Sequence, residues 1–303
     1  MKKILSILCI AVSIALVSGA FAAGSYVENF ESYSSLNYSG GQASLNNGAV
    51  VYGNNTSIVN IFQNGSNWKA LRMLQDNNPV VTGISTYVVG PVENPSTRVN
   101  SFTASFGLHF KNSNGVTADN FSFDFGKLTG TLPRTFDNGM WSPGQTGSML
   151  SVVWDFFDNG SGDFVGSGGS GGIQLYKNGA LVSGSNVNNP ATVFSSLQNT
   201  FTTFNVRYDE ELNGGTLQFN TGGSVGTGNL ISGGTNLFTL SNLEVNFAAG
   251  DQFSFAAWNG GSDLDVFVDN VSIQTVPEPS VASLLVLGLG GVIALRRCRR
   301  SAV

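Results

Sequence analysis

Short stretches in which apolar and polar residues alternate recur along most of the chain. Clear examples are Phe102–Phe106, Phe204–Tyr208, Phe253–Phe255 and Leu264–Val268, where every second side chain is apolar. Alternation with a period of two places the apolar side chains on one face of an extended strand. Long helical spacings of apolar residues do not occur outside two apolar runs near the ends of the chain. The pattern predicts many short β-strands.

Turn signals separate these stretches. They include Asn47-Gly48, Asn64-Gly65, Asn178-Gly179 and Asn213-Gly214-Gly215, whose residues tolerate positive φ and permit tight hairpins. Two glycine-rich patches, residues 160–172 and 222–234, are expected to be loops. Many strands with one apolar face imply two stacked antiparallel sheets. We therefore expect one all-β domain, a two-sheet antiparallel jelly-roll sandwich.

The first 23 residues have the three regions of a secretory signal peptide. Lys2 and Lys3 precede an apolar run, Ile4–Val17, and the small-residue segment Ala20-Phe21-Ala22 follows. This order predicts a signal helix that directs export through the Sec machinery and is cleaved after Ala22 or Ala23. The mature domain is then expected to span residues 24–275.

Residues 276–300 have a different organisation. Val276, Pro277, Glu278, Pro279 and Ser280 precede an uncharged run, residues 281–295, and the arginines of the basic end are Arg296, Arg297, Arg299 and Arg300. The prolines remove backbone donors and are expected to end the folded domain. At about 1.5 Å per residue, a single helix over the apolar run crosses most of a bilayer core. The arginines favour the cytoplasmic side.

This order of Pro-Glu-Pro motif, apolar run and basic end resembles the PEP-CTERM sorting tail of exported Gram-negative bacterial proteins. The resemblance implies a membrane exosortase as a partner. The enzyme would recognise the motif at 276–280, so that the chain is anchored transiently and then released to the cell surface or extracellular matrix. An ordinary single-pass anchor is the alternative.

Composition and charge reduce the number of functions that the chain can be expected to have. The whole chain has 39 glycines and 22 phenylalanines. Its two cysteines, Cys9 and Cys298, lie in the terminal segments, so the mature domain is expected to have no disulfide. Between residues 24 and 275 there are 8 basic and 18 acidic residues, a net charge near −10. Such an acidic domain argues against nucleic acid as a partner and suits the binding of cations.

Four segments, in order, make the chain from about residue 100 to 275 similar to the L-type lectin and glucanase sandwich, the concanavalin-like fold. They are Thr117–Gly126, with Asp119 and Asn120 at its start, Leu150–Asn159, Gly172–Tyr176, and Phe253–Gly261, which leads to a closing strand, Val266–Ile273. The first part of the mature domain fits less closely. Residues 26–31 are a candidate edge strand that pairs with the closing strand.

The resemblance implies a calcium site and a sugar site. The calcium ligands would be Asp155, the backbone carbonyl of Phe157, Asn159 and Asp163, all hard oxygen donors of the kind that Ca²⁺ prefers. Asp119 and Asn159 would bind sugar hydroxyls, and Trp258 or Phe157 would stack on the sugar. Val153 stands where plant members carry the glutamate of a transition-metal site, and Asn120 replaces a glycine. The alternative is a polar loop that binds nothing.

Other candidates have simpler explanations. The single histidine, His109, lies among apolar residues and is expected to pack or to form a buried hydrogen bond. Asp263, Asp265 and Asp269 alternate in the last strand, which predicts that they lie on its solvated face. The Glu-x-Asp-x-(x)-Glu string of the resembling glucanases is absent, which argues against catalysis.

The sequence thus favours an exported, calcium-dependent carbohydrate-binding module that holds extracellular polysaccharide. A structural or adhesive matrix protein without a specific sugar site is the second hypothesis. A glycoside hydrolase of the glucanase class is the third.

Overall fold

The alternating segments form β-strands in the computed structural model of the chain. The residues that the structure describes are 24–39, 42–52, 56–63, 66–74, 83–89, 99–111, 120–127, 148–155, 172–185, 187–188, 197, 200–225, 231–245, 247–259 and 265–277. The strands, in chain order, are β1 (Gly24–Glu28), β2 (Tyr38–Ser39), β3 (Gln42–Ser44), β4 (Val50–Tyr52), β5 (Ser57–Gln63), β6 (Ser66–Leu74), β7 (Gly83–Val89), β8 (Val99–Lys111), β9 (Asn120–Gly126), β10 (Ser148–Asp155), β11 (Gly172–Lys177), β12 (Ala180–Leu181), β13 (Val187–Asn188), β14 (Thr202–Asp209), β15 (Thr216–Thr221), β16 (Ser224–Val225), β17 (Ile231–Ser232), β18 (Thr235–Leu240), β19 (Gln252–Asn259) and β20 (Asp265–Pro277).

Two large antiparallel sheets contain nearly all of the described strands. Sheet A has the order β18-β15-β14-β8-β20-β6-β5, and β1 pairs with β20 next to β6. Sheet B has the order β12-β11-β10-β9-β19-β7-β4-β3-β2, and β13 pairs with β11. Both sheets are antiparallel, as expected for strands with one apolar face. The prediction of an all-β, two-sheet antiparallel sandwich is confirmed.

Aromatic side chains from the two sheets meet in the core. Phe102 of β8 lies against Phe253 of β19, with 5.0 Å between ring centroids, and Phe106 lies 5.5 Å from Phe123 of β9. Trp154 of β10 meets Phe204 of β14 edge to face at 5.1 Å. Each of these residues is at most 2% exposed. Burying one such side chain stabilises the fold by about 1.5–3 kcal/mol, so the alternating phenylalanines hold the sheets together.

The N-terminal strands complete both sheets. Strand β1 pairs with β20 from Gly24 opposite Thr275 to Glu28 opposite Val271, which confirms the expected pairing of first and closing strands. The buried carboxylate of Glu28 accepts hydrogen bonds from the hydroxyl of Tyr33 at 3.1 Å and from Nδ2 of Asn47 at 2.6 Å. The Tyr26 hydroxyl is hydrogen-bonded to that of Tyr87. These polar contacts join β1 to the β3–β4 hairpin and to β7.

Tight turns occur at three of the predicted Asn-Gly signals, those at residues 47–48, 178–179 and 213–215, and Asn64-Gly65 lies outside the described residues. Asn178 and Gly179 have φ of 49° and 79° and connect β11 to β12. Residues 222–234 were expected to be a loop, and this expectation is wrong in part, because β16 and β17 pair within it as a short ribbon. Gly222 and Gly234, both with positive φ, flank the ribbon. These two glycines adopt a backbone conformation that other residues rarely adopt, at the points where the chain enters and leaves the ribbon.

The last strand continues beyond the expected end of the domain. β20 includes Val276 and Pro277, two residues past Thr275, and Val276 pairs with Ser101 of β8. The signal segment 1–23 and the tail from Glu278 onwards lie outside the described residues. Within the described part of the chain, no helix is long and apolar enough to cross a membrane.

Candidate functional site

Neighbouring strands of sheet B place several of the predicted site positions in one row. In the register of the sheet, Trp258 of β19 is the partner of Asn120 in β9, and Asn120 is the partner of Asp155 in β10. Asp155 in turn pairs with Gly172 of β11. We call this row, from Trp258 through Asn120 and Asp155 to Gly172, the end row. The four segments that carried the resemblance are therefore four adjacent strands, β11-β10-β9-β19, that begin or end together.

Asp155 is the one predicted metal ligand whose side chain the structure describes. Along β10 the side chains of Leu150, Val152 and Trp154 belong to the core. Because successive side chains of a strand alternate between faces, Asp155 lies on the outer face of sheet B, away from the core. Its side chain is 7% exposed. A carboxylate is thus held at low exposure at the end of a buried strand.

The remaining predicted ligands lie outside the described part of the chain. Asp119 immediately precedes the end row, and Phe157, Asn159 and Asp163 follow β10 in the sequence. For Asn120 and Trp258 the structure describes the backbone only. Among the described residues, no group of three or more His, Cys, Asp or Glu side chains is arranged to hold a metal ion. Only the donor chemistry therefore bears on the fit to calcium, and a carboxylate at this position suits a hard cation.

Val153 lies two residues before Asp155 on the same outer face and is 4% exposed. Its register partners are Ser122 of β9 and Gln174 of β11. An apolar side chain at this position supplies no metal ligand.

A buried polar band on the outer face of sheet B was missed by the sequence reasoning. Asp124 of β9 lies between its partners Ser254 of β19 and Ser151 of β10, and all three are at most 2% exposed. The Ser122 hydroxyl donates to Oδ2 of Asp124 at 2.8 Å, and the Tyr176 hydroxyl donates to Oε1 of Gln174 at 2.8 Å. The alternation Phe121-Ser122-Phe123-Asp124-Phe125 was the available signal, because it assigns these polar side chains to the outer face. The band continues toward the end row.

His109 has the structural role that the sequence predicted. Its Nδ1 lies 2.7 Å from the carbonyl oxygen of Leu197, and because a carbonyl only accepts, Nδ1 donates this hydrogen bond. The imidazole stacks on Phe267 with 5.4 Å between ring centroids. Burial lowers the pKa of His109 from its ordinary value. The histidine therefore fixes Leu197 against the outer face of sheet A as a neutral side chain.

The expectation for the acidic residues of the last strand is wrong for Asp269. It was predicted to lie on a solvated face but is 2% exposed, whereas Asp265 is half-buried and Asp263 lies outside the described residues. Phe201 packs over the register partner of Asp269, Gly107, where an added Cβ would lie 3.2 Å from the phenyl ring. Burial, as the largest cause, and the nearby carboxylates of Glu31 and Glu28 together raise the pKa of Asp269 to about 7.

The two antiparallel sheets and the end row define a sandwich of the legume-lectin type. Lectin I-B4 from Griffonia simplicifolia, in its metal-free form, matches with a TM-score of 0.52 at 13% identity over 83% of this chain and 98% of the lectin. The seed lectin of Lotus tetragonolobus matches with a TM-score of 0.51 at 16% identity over 84% of this chain and all of the lectin. Lectin UEA-II in complex with galactose matches with a TM-score of 0.52 at 12% identity over 83% and 98% of the two chains.

At these identities the likeness concerns the fold. No protein-family model matches the chain, and no curated protein does.

Proposed function

We propose that the protein is a carbohydrate-binding, lectin-like module whose site is built at the end row of sheet B and depends on calcium. The observation that carries this proposal is the position of Asp155. It is a low-exposure carboxylate on the outer face of a lectin-type sheet, in register with Asn120 and Trp258. The solved lectins of the same fold support a sugar as the ligand, since UEA-II is in complex with galactose.

Calcium would act by holding loops in place. Asp155 would contribute a carboxylate oxygen, and Phe157, Asn159 and Asp163 would contribute a carbonyl, an amide and a second carboxylate oxygen. Bound Ca²⁺ would balance the charge of the two carboxylates and would hold the chain that follows β10. Asn159 and Asp119 would then be oriented to accept and donate hydrogen bonds with sugar hydroxyls, and Trp258 would offer an aromatic face.

Binding without hydrolysis is the activity that we propose. Retaining glycoside hydrolysis requires two carboxyl groups about 5–5.5 Å apart in the cleft. The sequence lacks the Glu-x-Asp-x-(x)-Glu string that places such groups on one strand in the glucanases of this fold. The lectin neighbours support the same view.

The terminal segments suggest where the module works. The signal-like residues 1–23 and the tail 276–300 support export by the Sec machinery and recognition by an exosortase. The module would then reach the cell surface or extracellular matrix of a Gram-negative bacterium, where polysaccharide is the available ligand. Its acidic surface suits this setting, because net charge keeps a secreted domain soluble.

A glycan array tests the binding function. We expect a glycan signal in calcium that is lost in excess chelator and falls at least about tenfold in Asn159→Ala, since 1.4 kcal/mol of lost hydrogen bonding corresponds to tenfold in affinity. Asn67→Ala, at an exposed position of β6 in sheet A, is the matched control and should bind as the wild type. A glycan signal that resists both chelator and Asn159→Ala would place the site elsewhere. No signal at all would favour a structural or adhesive matrix protein.

A further inference from the structure

The two ends of the described domain lie together. Gly24 of β1 and Thr275 of β20 are register partners, and Val276 pairs with Ser101 near the start of β8. Residue 23 and residue 278 are covalently close to these positions. Both predicted membrane segments of the sequence, residues 4–17 and 281–295, are thus joined to one end of sheet A, which we call the attachment end.

The end row lies at the opposite end of the sandwich. Along β8, Phe102 packs against Phe253 and Phe125, whereas Phe110 packs against Phe121, the neighbour of Asn120 in the end row. The start of β8 therefore lies at the attachment end and its last residue, Lys111, near the end row. The same direction holds for β20, since Asp265 pairs with Lys111 and Pro277 with Val99.

The length of β20 sets the distance between the attachment end and the end row. The strand has 13 residues, which at about 3.3 Å per residue span about 40 Å. Only residues 260–264 connect Asn259, beside Trp258, to Asp265. Such a short segment cannot return along the strand, so β19 ends and β20 starts at the same end of the molecule.

We propose that the attachment end of the domain faces the lipid bilayer, so that the end row points away from the membrane at a distance set by the length of β20. The inference rests on the proposed membrane tail and binding site. It concerns where the tail and the site lie relative to each other, which the sequence of neither one reveals alone. The ligand would therefore be bound from the side of the domain that faces away from the membrane.

The acidic residues at the attachment end indicate that the covalent tail, and not the surface of the domain, holds this end at the membrane. Asp209 pairs with Ser101 in the ladder, and its carboxylate is compensated by a salt bridge with Arg207 at 2.8 Å. The next residue, Glu210, donates from its backbone N–H to the carbonyl oxygen of Asn100 at 3.2 Å. Glu211 follows on the exposed surface. Acidic side chains are repelled by anionic headgroups, so the covalent tail has to hold this end at the membrane.

Energy transfer to lipid tests the orientation in the full-length chain. Single cysteines are introduced, in a Cys9→Ser, Cys298→Ser background, at Leu212 and Ala180 of the attachment end and at Lys111 of the opposite end. All three are exposed positions, and Leu212 follows β14 in sheet A. Ala180 of β12 pairs with Lys177, at the end of β11 that lies away from the end row, so it is at the same end of sheet B. Each is labelled with a donor dye, and the protein is reconstituted into phosphatidylcholine vesicles with a headgroup-labelled acceptor lipid.

We expect transfer from positions 212 and 180 to exceed transfer from position 111 several-fold. A chain of residues 24–277, which lacks both predicted membrane segments, is the control and should show no transfer from any position. Equal transfer from 212 and 111 with less from 180 would mean that the domain lies on sheet A, and would overturn the proposal. A full-length chain that does not associate with vesicles would overturn it together with the membrane tail. The expected pattern in a protein that binds no glycan would refute the binding function and leave the orientation intact.

Discussion

Asp269 shows how one side chain couples the fold to pH. Its carboxylate accepts hydrogen bonds from the backbone N–H and from Nδ2 of the neighbouring Asn270, at 2.7 and 3.0 Å. Hydrogen bonds to the carboxylate lower its pKa, but burial and the repulsion by Glu31 and Glu28 raise it by more. The pKa of Asp269 is therefore raised from 3.8 to about 7. Lys69 donates from Nζ to the backbone oxygen of Glu31, so its charge lies beside the same cluster.

The raised pKa predicts a loss of stability as pH rises. Because the folded state binds the proton more tightly than the unfolded state, this contribution is complete below pH 3.8 and is lost as pH rises through about 7. Asp269→Asn should therefore be more stable than the wild type at pH 8, by at most about 4 kcal/mol, and nearly equal to it at pH 4. Urea unfolding at both pH values measures the difference, with the exposed Glu211→Gln as control. A variant no more stable than the wild type at pH 8 would contradict the account.

At the scale of elements, glycines decide where short strands can reverse. Gly234, with φ of 75°, lies so close to the end of β15 that an added Cβ would be 2.4 Å from the carbonyl oxygen of Thr221. Gly48, in the β3–β4 hairpin, has φ of 85° but no atom within 4 Å of an added Cβ. The two positions share the same backbone preference and differ in the space around them.

Two alanine substitutions separate conformational strain from close packing. Gly48→Ala should lower the free energy of unfolding by about 1–2 kcal/mol, the cost of a left-handed conformation for an L-residue. Gly234→Ala should cost more, because the methyl group also forces the β16–β17 ribbon away from β15. Chemical denaturation of both variants measures this difference. Equal losses would mean that the ribbon moves freely and does not pack as described.

The strands of the site were predictable from the sequence, but the register in which they pair was not. The pattern of apolar and polar residues in β9, β10, β11 and β19 predicted that these segments are strands. Their full register did not follow, since it includes one pairing between segments more than 100 residues apart, that of Asn120 with Trp258.

Asp269 illustrates the limit of the pattern. Alternation assigned it correctly to the outer face of β20 but could not show that Phe201, far away in the sequence, packs over its register partner Gly107. The polar band around Asp124 was missed for a related reason. Polar side chains on a strand suggest solvent, whereas here the outer face of sheet B is buried.

At the scale of the whole molecule, the joined chain ends and the proposed site lie at opposite ends of the sandwich. The strands β1 and β20 bring the first and last described residues together, and the same β20 extends to the end that carries the proposed site. The aromatic core between the sheets makes this body rigid, because its rings interdigitate with little free space. The proposed binding site and the proposed membrane attachment therefore lie at opposite ends of β20.

The central claim is that a calcium site lies at the end of β10, and thermal unfolding tests it most directly. Residues 24–277, which contain all the described strands, are unfolded in calcium and in excess chelator. At a hundredfold excess of calcium over Kd we expect about 2.7 kcal/mol of stabilisation in the wild type, none in Asp155→Asn, and the full effect in the control Glu211→Gln. An unfolding midpoint that calcium leaves unchanged in the wild type would contradict the account.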